Sequence, residues 1–91
     1  MEKNDEKRIA ALIDDITKKM EMLIGDTSVP KNVRSAVVEA KNKLNAASAD
    51  YTVRVSGAIY NLDEVSNDIN LPPQARTMIW NILSLLESVK E

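Results

Sequence analysis

The chain has 91 residues, and 44% of them are apolar. A chain of this length suits one compact domain and is too short for several. It contains neither histidine nor cysteine, which excludes thiol nucleophiles, disulfides, histidine–carboxylate relays and the usual zinc ligands. Twelve basic residues nearly balance fourteen acidic ones, and the net charge of −2 predicts no strong overall attraction to nucleic acid or to an anionic membrane.

The composition also indicates the compartment and the structural class. Residues 1–20 lack the unbroken apolar region of a signal peptide, and no stretch approaches the roughly 20 apolar residues of a membrane span. We therefore expect a cytoplasmic protein. Two glycines and three prolines supply too few turn residues for an all-β domain. The abundance of Ala, Leu, Ile, Lys and Glu predicts an all-α fold.

Apolar residues recur at spacings of three and four in four segments, as on one face of a helix. The four stripes are Ile9, Leu12, Ile13, Ile16, Met20, Leu23 and Ile24; Val33, Val37, Ala40, Leu44 and Ala47; Tyr51, Val55, Ala58, Ile59, Leu62 and Val65; and Ala75, Met78, Ile79, Ile82, Leu83, Leu86 and Val89. Each stripe predicts an amphipathic helix that buries one face.

Capping residues predict where these helices begin and end. Asn4 is a candidate N-cap of the first helix, and Gly25 is expected to end it. Pro30 is expected at the first position of the second helix, where its missing N–H costs nothing. The Pro72–Pro73 pair marks the start of the fourth helix.

The boundary between the second and third helices is less obvious, since the apolar phase continues unbroken from Val33 to Val65. One fused helix would be about 50 Å long, which is too long for so small a domain. The polar cluster from Asn45 to Asp50 instead predicts a turn, with Ser48 or Asp50 as the N-cap of the third helix.

An internal repeat connects the two halves of the chain at an offset of 42 residues. The segment that begins at Asp26 aligns with the segment that begins at Asp68. The identical pairs in the turns and first helical turns are Asp26 and Asp68, Pro30 and Pro72, and Arg34 and Arg76. Each unit is thus a helix, a turn with aspartate, and a proline-initiated helix with arginine in its first turn. We interpret these six residues as structural turn and cap residues.

This unit resembles a HEAT repeat, whose length class of about 40–47 residues includes the offset. Asp26, Pro30, Val33 and Arg34 match the HEAT pattern, whereas the second copy has Ala75 in place of the valine. The resemblance implies that the aspartate and the arginine pair and cap.

The whole chain also resembles the small archaeal uncharacterised protein family numbered 0147. The segments 26–34 and 71–77 carry that similarity. It implies an all-helical bundle and adds no activity.

Two repeats are fewer than the three that a solenoid needs. We therefore predict one domain over 1–91, a four-helix up-and-down bundle built from hairpins at about 4–47 and 48–90. The alternative is a two-unit HEAT-like stack completed by a second chain.

Trp80 does not fit the apolar stripe of the fourth helix. It lies about 130° from the centre of the stripe, four residues after Arg76, a spacing that allows a cation–π contact. It is either an anchor for a partner protein or covered by another helix of the same chain. The second interpretation is slightly favoured, because Val38 holds the equivalent position in the first unit.

The fourth helix is also more apolar than its counterpart. Leu83 and Leu85 replace Lys41 and Lys43, so its apolar surface is wider than one seam requires. It is either the most central helix or part of a homodimer interface. The candidate partner interface comprises Trp80, Leu83, Leu85 and Arg76.

Basic residues concentrate in the first half of the chain, where Lys31, Arg34 and Lys41 are a candidate nucleic-acid patch. RNA-binding modules usually add stacking aromatics, and here aromatic residues make up only 3% of the chain. A solvated helix face is the favoured interpretation.

The sequence offers no pattern that supports catalysis or metal binding. Asp63, Glu64 and Asp68 form its densest acidic group but lack the spacing and glycine of a calcium loop. Phosphate-binding loops and nucleophile elbows are absent from the sequence, so we expect no catalytic, metal or cofactor site.

The leading hypothesis is a non-catalytic helical module that binds a protein partner or a second copy of itself. The alternative is a nucleic-acid accessory factor that uses the basic first half.

Overall fold

The computed structural model describes the backbone of residues 3–90 and the side chains of residues 6–89. Four helices are present: α1 (Lys3–Ile24), α2 (Lys31–Leu44), α3 (Tyr51–Val65) and α4 (Pro73–Lys90). The part of the chain that is described contains no β-strand. The predicted all-α class is confirmed.

The helices form a closed ring about a common core. Helix α1 packs against α2 and α4, and α3 packs against the same two helices. This is the arrangement of a four-helix up-and-down bundle, with overall extents of 42 × 21 × 20 Å. A stack of HEAT-like hairpins would instead place α1 on α3 and α2 on α4. The predicted bundle is therefore found, and the stacked alternative is not.

The predicted stripes supply nearly all of the core. Its buried apolar residues are Ile9, Ile13, Ile16, Met20, Leu23, Val29, Val33, Val37, Ala40, Leu44, Val55, Ala58, Leu62, Leu71, Ala75, Ile79, Ile82, Leu86 and Val89. Val29 and Leu71 come from the turns rather than from helices. Ala47, predicted as a stripe residue, is exposed because α2 already ends at Leu44.

The first helix begins slightly earlier than predicted. It is already helical at Lys3, so Asn4 lies inside its first turn and does not occupy the flanking N-cap position; the Asn4 side chain lies outside the described residues. At the other end, Gly25 ends the helix as predicted, and its N–H donates to the carbonyl of Glu21 at 3.0 Å. It does not have the positive φ that is typical of a glycine at the C′ position.

Helix α2 begins one residue later than expected, whereas α4 begins within the predicted Pro72–Pro73 pair. Pro30 is the N-cap of α2, with a ψ of 146° that is extended rather than helical. Its carbonyl accepts the Arg34 N–H at 2.9 Å, and the Pro72 carbonyl accepts the Arg76 N–H at 3.0 Å. The fixed φ of proline fits an extended residue as well as a helical one, which explains the error. Pro73 does hold the first helical position of α4.

The turn between α2 and α3 is present, as predicted. The Asn45 side chain donates to the Lys41 carbonyl at 2.9 Å, so it occupies an acceptor at the end of α2. Asp50 is the N-cap of α3, and its carboxylate accepts the Val53 N–H at 3.1 Å. These contacts satisfy backbone groups that a continuing helix would have paired with each other.

Helices α2 and α3 approach closely beyond this turn. A Cβ added at Gly57 would lie 3.0 Å from the Cδ atom of Lys43. Asn61, one turn later, is buried and donates to the Glu39 carboxylate at 3.1 Å. These contacts place Gly57 and Asn61 on the side of α3 that faces α2.

We predict that Asp50→Ala destabilises the protein by about 1 kcal/mol, because α3 loses its side-chain cap. Ser48→Ala is the matched control, since Ser48 is exposed in the same turn and caps nothing. Its effect is expected to stay within about 0.5 kcal/mol. Urea unfolding followed by circular dichroism measures both, and equal losses would contradict the assignment of the cap.

Candidate functional site

The repeat appears in the structure as two turns with the same hydrogen bonds. The Asp26 carboxylate accepts the Ser28 N–H at 2.9 Å, and the Asp68 carboxylate accepts the Asn70 N–H at 2.8 Å. The Asp26 carbonyl accepts the Val29 N–H, and the Asp68 carbonyl accepts the Leu71 N–H. Each aspartate thus organises a turn that directs a buried apolar residue, Val29 or Leu71, into the core.

The arginines act on backbone atoms rather than on the aspartate carboxylates. Arg34 donates from Nε to the Val29 carbonyl at 3.1 Å, and Arg76 donates from Nη2 to the Asp68 carbonyl at 2.8 Å. The ion pairs of the described side chains include neither Asp26 with Arg34 nor Asp68 with Arg76. The direct pairing implied by the HEAT resemblance is therefore not found. The turns offer nearer backbone acceptors for the guanidinium groups.

The two turns lie at the same end of the bundle and touch each other. Asn32, in the first turn of α2, donates to the Asp68 carboxylate at 2.9 Å. This hydrogen bond, with that of the Asn70 N–H, lowers the pKa of Asp68. The pKa of Asp26 is lowered by the hydroxyl and the N–H of Ser28. In both cases the nearby arginine adds a smaller effect in the same direction.

Trp80 is 54% exposed. The interpretation that another helix of the chain covers it is therefore wrong, because α4 turns this side chain outward at the edge of the bundle. Nor does the Arg76 guanidinium stack on the indole, since it is directed to the Asp68 carbonyl. The cation–π contact found among the described side chains is that of Lys43 over Tyr60, at 5.9 Å.

The predicted interface on α4 divides between two flanks of the helix. Met78 lines a small hollow with Met22 and Leu23 of α1, so its flank faces α1. Leu85 follows Met78 by two turns and shares that flank. Trp80 and Leu85 are five residues apart, which is about 140° around the helix. They do not form one surface.

Trp80 and Leu83 instead lie on the flank that faces α3. Across from them, α3 presents Ile59 and Asp63, which are on the opposite side of that helix from Asn61, the residue that contacts α2. Ile59 and Leu83 are partly buried against the core, whereas Asp63 and Glu87 are exposed. We name Ile59, Asp63, Trp80, Leu83 and Glu87 the α3–α4 groove. Ile59, Asp63 and Glu87 are not among the interface residues that the sequence predicts.

The basic residues of α2 do not form a free patch. Lys41 pairs with Glu21 at 3.2 Å, and Arg34 is bound to the Val29 carbonyl. Lys31 is exposed at the start of the helix. Two of the three cations that the sequence suggested for nucleic acid are therefore engaged within the protein.

A cavity of about 510 Å³ lies between the first half of α1 and the turn that precedes α3. Ile9, Ile13 and Tyr51 line it, together with carboxylates that include Asp14 and Asp50. The three carboxylates of the lining, Glu6, Asp14 and Asp50, are all exposed to solvent.

Among the side chains that the structure describes, no group of three or more Asp or Glu residues is placed to hold a metal ion. Asp68, from the densest acidic group of the sequence, is instead engaged by Asn32 and Asn70. No helix between residues 3 and 90 is long and apolar enough to cross a membrane.

We predict that Asp26→Ala destabilises the protein in a pH-dependent way. Because the folded state lowers the pKa of Asp26, the stabilisation by its carboxylate is complete near pH 7. It is lost as the pH falls below the ordinary value of about 3.9 and through the lower pKa of the folded state. Urea unfolding at pH 7 and at pH 3 measures the difference between wild type and variant.

The control for this prediction is Thr27→Ala, an exposed change in the same turn. Its effect on stability is expected to be the same at both pH values. A wild-type advantage over Asp26→Ala that does not shrink in acid would show that the carboxylate makes no such contribution.

Comparison with known proteins gives consistent matches. The model of an uncharacterised protein family, UPF0147, matches residues 1–89. A UPF0147 protein of Methanothermobacter thermautotrophicus is 51% identical over 69 residues, which are 76% of this chain and 68% of the relative. A UPF0147 protein of Methanocaldococcus jannaschii is 43% identical over 84 residues, which are 92% and 83% of the two chains.

Two crystal structures share the fold. One, of a protein of unknown function, has a TM-score of 0.85 and 40% identity, and the match covers 90% of this chain and 93% of that one. The other, of a protein from the uncharacterised family UPF0147 from Thermoplasma acidophilum, has a TM-score of 0.84 and 32% identity, with 90% and 98% covered. Because the family model matches residues 1–89 and both named relatives are at least 43% identical, the chain belongs to the uncharacterised protein family UPF0147.

Proposed function

We propose that the protein is a cytoplasmic, non-catalytic helical module that binds another protein through the α3–α4 groove. The observation that carries this proposal is the exposure of Trp80, at 54%, beside the partly buried Leu83. Tryptophan is strongly enriched among the residues that dominate binding energy at protein interfaces. An exposed tryptophan on a helix flank next to a second apolar side chain is a suitable anchor for a partner.

The remaining surface supports this choice over an enzyme or an RNA-binding factor. The carboxylates at the large cavity are exposed, and two of the three candidate RNA-binding cations are engaged by Glu21 and Val29. The part of the predicted interface at Leu85 belongs to the flank of α4 that faces α1. The proposal therefore retains Trp80 and Leu83 as binding residues and assigns Leu85 to packing within the bundle.

The proposal is tested by replacing Trp80 with a photo-crosslinking phenylalanine derivative in cells that produce the protein. We expect an adduct with a second polypeptide, because the side chain at this position would lie inside the contact. The matched control carries the same derivative at Val38, the equivalent position of the first hairpin, which is 38% exposed. That variant is expected to give about tenfold less adduct.

Equal adducts at positions 38 and 80, or none at either, would contradict an interface at the α3–α4 groove. Adducts with RNA would favour the nucleic-acid alternative. Sedimentation velocity of the wild type and of Trp80→Ala shows whether the partner is a second copy of the chain.

A further inference from the structure

The charge of the partner can be inferred by comparing the two halves of the repeat. Each residue of the α3–α4 groove has a counterpart 42 positions earlier, between α1 and α2. The counterparts of Ile59, Asp63, Trp80, Leu83 and Glu87 are, in order, Thr17, Glu21, Val38, Lys41 and Asn45. The matching turn hydrogen bonds show that the two hairpins are built alike, so the comparison is between equivalent places.

In the first hairpin, polar contacts connect the two helices along this line. Lys41 Nζ lies 3.2 Å from the Glu21 carboxylate, and Asn45 donates to the Thr17 hydroxyl at 3.1 Å. These contacts satisfy the polar groups on both helices within the chain itself. The exposed apolar surface there is small, and Val38 contributes it.

In the second hairpin, one residue of each corresponding pair is apolar and the other is a carboxylate. Leu83 replaces Lys41, so Asp63 has lost the cation that its counterpart Glu21 retains. Ile59 replaces Thr17, and Trp80 replaces Val38. The result is an apolar strip of Ile59, Trp80 and Leu83 beside exposed carboxylates. Arg76, the nearest described cation of α4, is bound to the Asp68 carbonyl.

We propose that the α3–α4 groove binds a basic amphipathic segment of a different protein, with apolar side chains flanked by Lys or Arg. This inference rests on the proposed function and specifies the partner. The apolar side chains would pack on Trp80 and Leu83, and a cation would occupy the place beside Asp63 that Lys41 fills beside Glu21.

The same charges disfavour the other occupants. A symmetric contact between two copies would bring Asp63 and Glu87 of one copy towards the same residues of the other, and like charges in an interface are unfavourable. RNA and anionic lipid surfaces are repelled by carboxylates for the same reason.

The experiment uses the fluorescence of the chain's single tryptophan. The probe is an 18-residue amphipathic helical peptide of Leu and Lys, and its counterpart has Glu at every Lys position. We expect the Lys peptide to shift Trp80 emission to the blue in a saturable way, with an affinity that falls as salt rises. The Glu peptide is expected to cause no shift.

Three variants make the measurement specific. Asp63→Lys with Glu87→Lys is expected to weaken binding of the Lys peptide about tenfold, as the loss of two favourable pairs implies. Leu83→Lys is expected to weaken it as well, because it places beside Asp63 the cation found in the first hairpin. Val38→Trp combined with Trp80→Val moves the fluorophore to the equivalent position of the other hairpin, where no shift is expected.

Circular dichroism checks that each variant is folded, which these exposed and partly buried positions favour. Equal shifts with both peptides, equal shifts at positions 38 and 80, or no shift at either would overturn the inference. A blue shift on concentrating the protein alone, together with a dimer in sedimentation, would overturn it in favour of self-association. The last outcome would leave an interaction role intact, whereas failure of crosslinking at position 80 removes the proposed function itself.

Discussion

The contact between α1 and α4 is the constraint on which the rest of the structure depends. Each of the four helices has one apolar stripe, and no hairpin can bury both of its stripes alone. When α1 packs on α4, the first and last helices of the chain close the ring, and the stripes of all four meet in one core. Closure also fixes which flank of each helix lies at the surface. Because α4 packs on α1, the flank of α4 that carries Met78 faces α1. Trp80 lies on the other flank, at the edge of the bundle, and is exposed.

Within this ring, the repeated turns and the divergent helix flanks have different tasks. In both halves the aspartate of the turn accepts a backbone N–H two residues later, ahead of the helix that follows the proline. The outward flanks of the helices do not form these turns, and their residue types differ between the two hairpins. One hairpin satisfies its polar groups across the helices, whereas the other exposes apolar groups beside carboxylates. The shared turns organise the fold, and the proposed binding surface rests on the difference between the flanks.

The sequence predicts most of the fold because its signals are local. The spacing of apolar residues identified the four helices, and the polar cluster before Asp50 identified the break between α2 and α3. Local signals were less reliable for residues that fit more than one position at a helix end. Pro30 is an example, because the φ of proline suits both the N-cap and the first helical position. The hydrogen bonds of the two arginines were also not predictable from local sequence, because their acceptors are the backbone carbonyls that the folded turns place nearby.

The candidate site was predictable only in part, and for a different reason. Whether Trp80 is covered depends on which neighbour α4 turns toward, and that is set by the closure of the ring. The separation of Trp80 from Leu85 follows from helix geometry alone and was available from the sequence. The sequence also shows the differences on which the proposed surface depends: Ile59 stands where the first unit has Thr17, and Leu83 where it has Lys41. Those signals lie in differences between the repeats rather than in their identities.

The turn from Asn45 to Asp50 has a consequence for assembly. The apolar phase of α2 continues into α3, and the non-helical residues 45–50 between them carry the caps of both helices. If the chain straightened here after losing these caps, the apolar stripes of α2 and α3 would fall on one face of a single helix. The two hairpin units would then be too far apart to close on each other, and each would pair with the complementary unit of a second chain. A few polar contacts in one surface turn thus separate a self-contained bundle from a domain-swapped dimer with the same core.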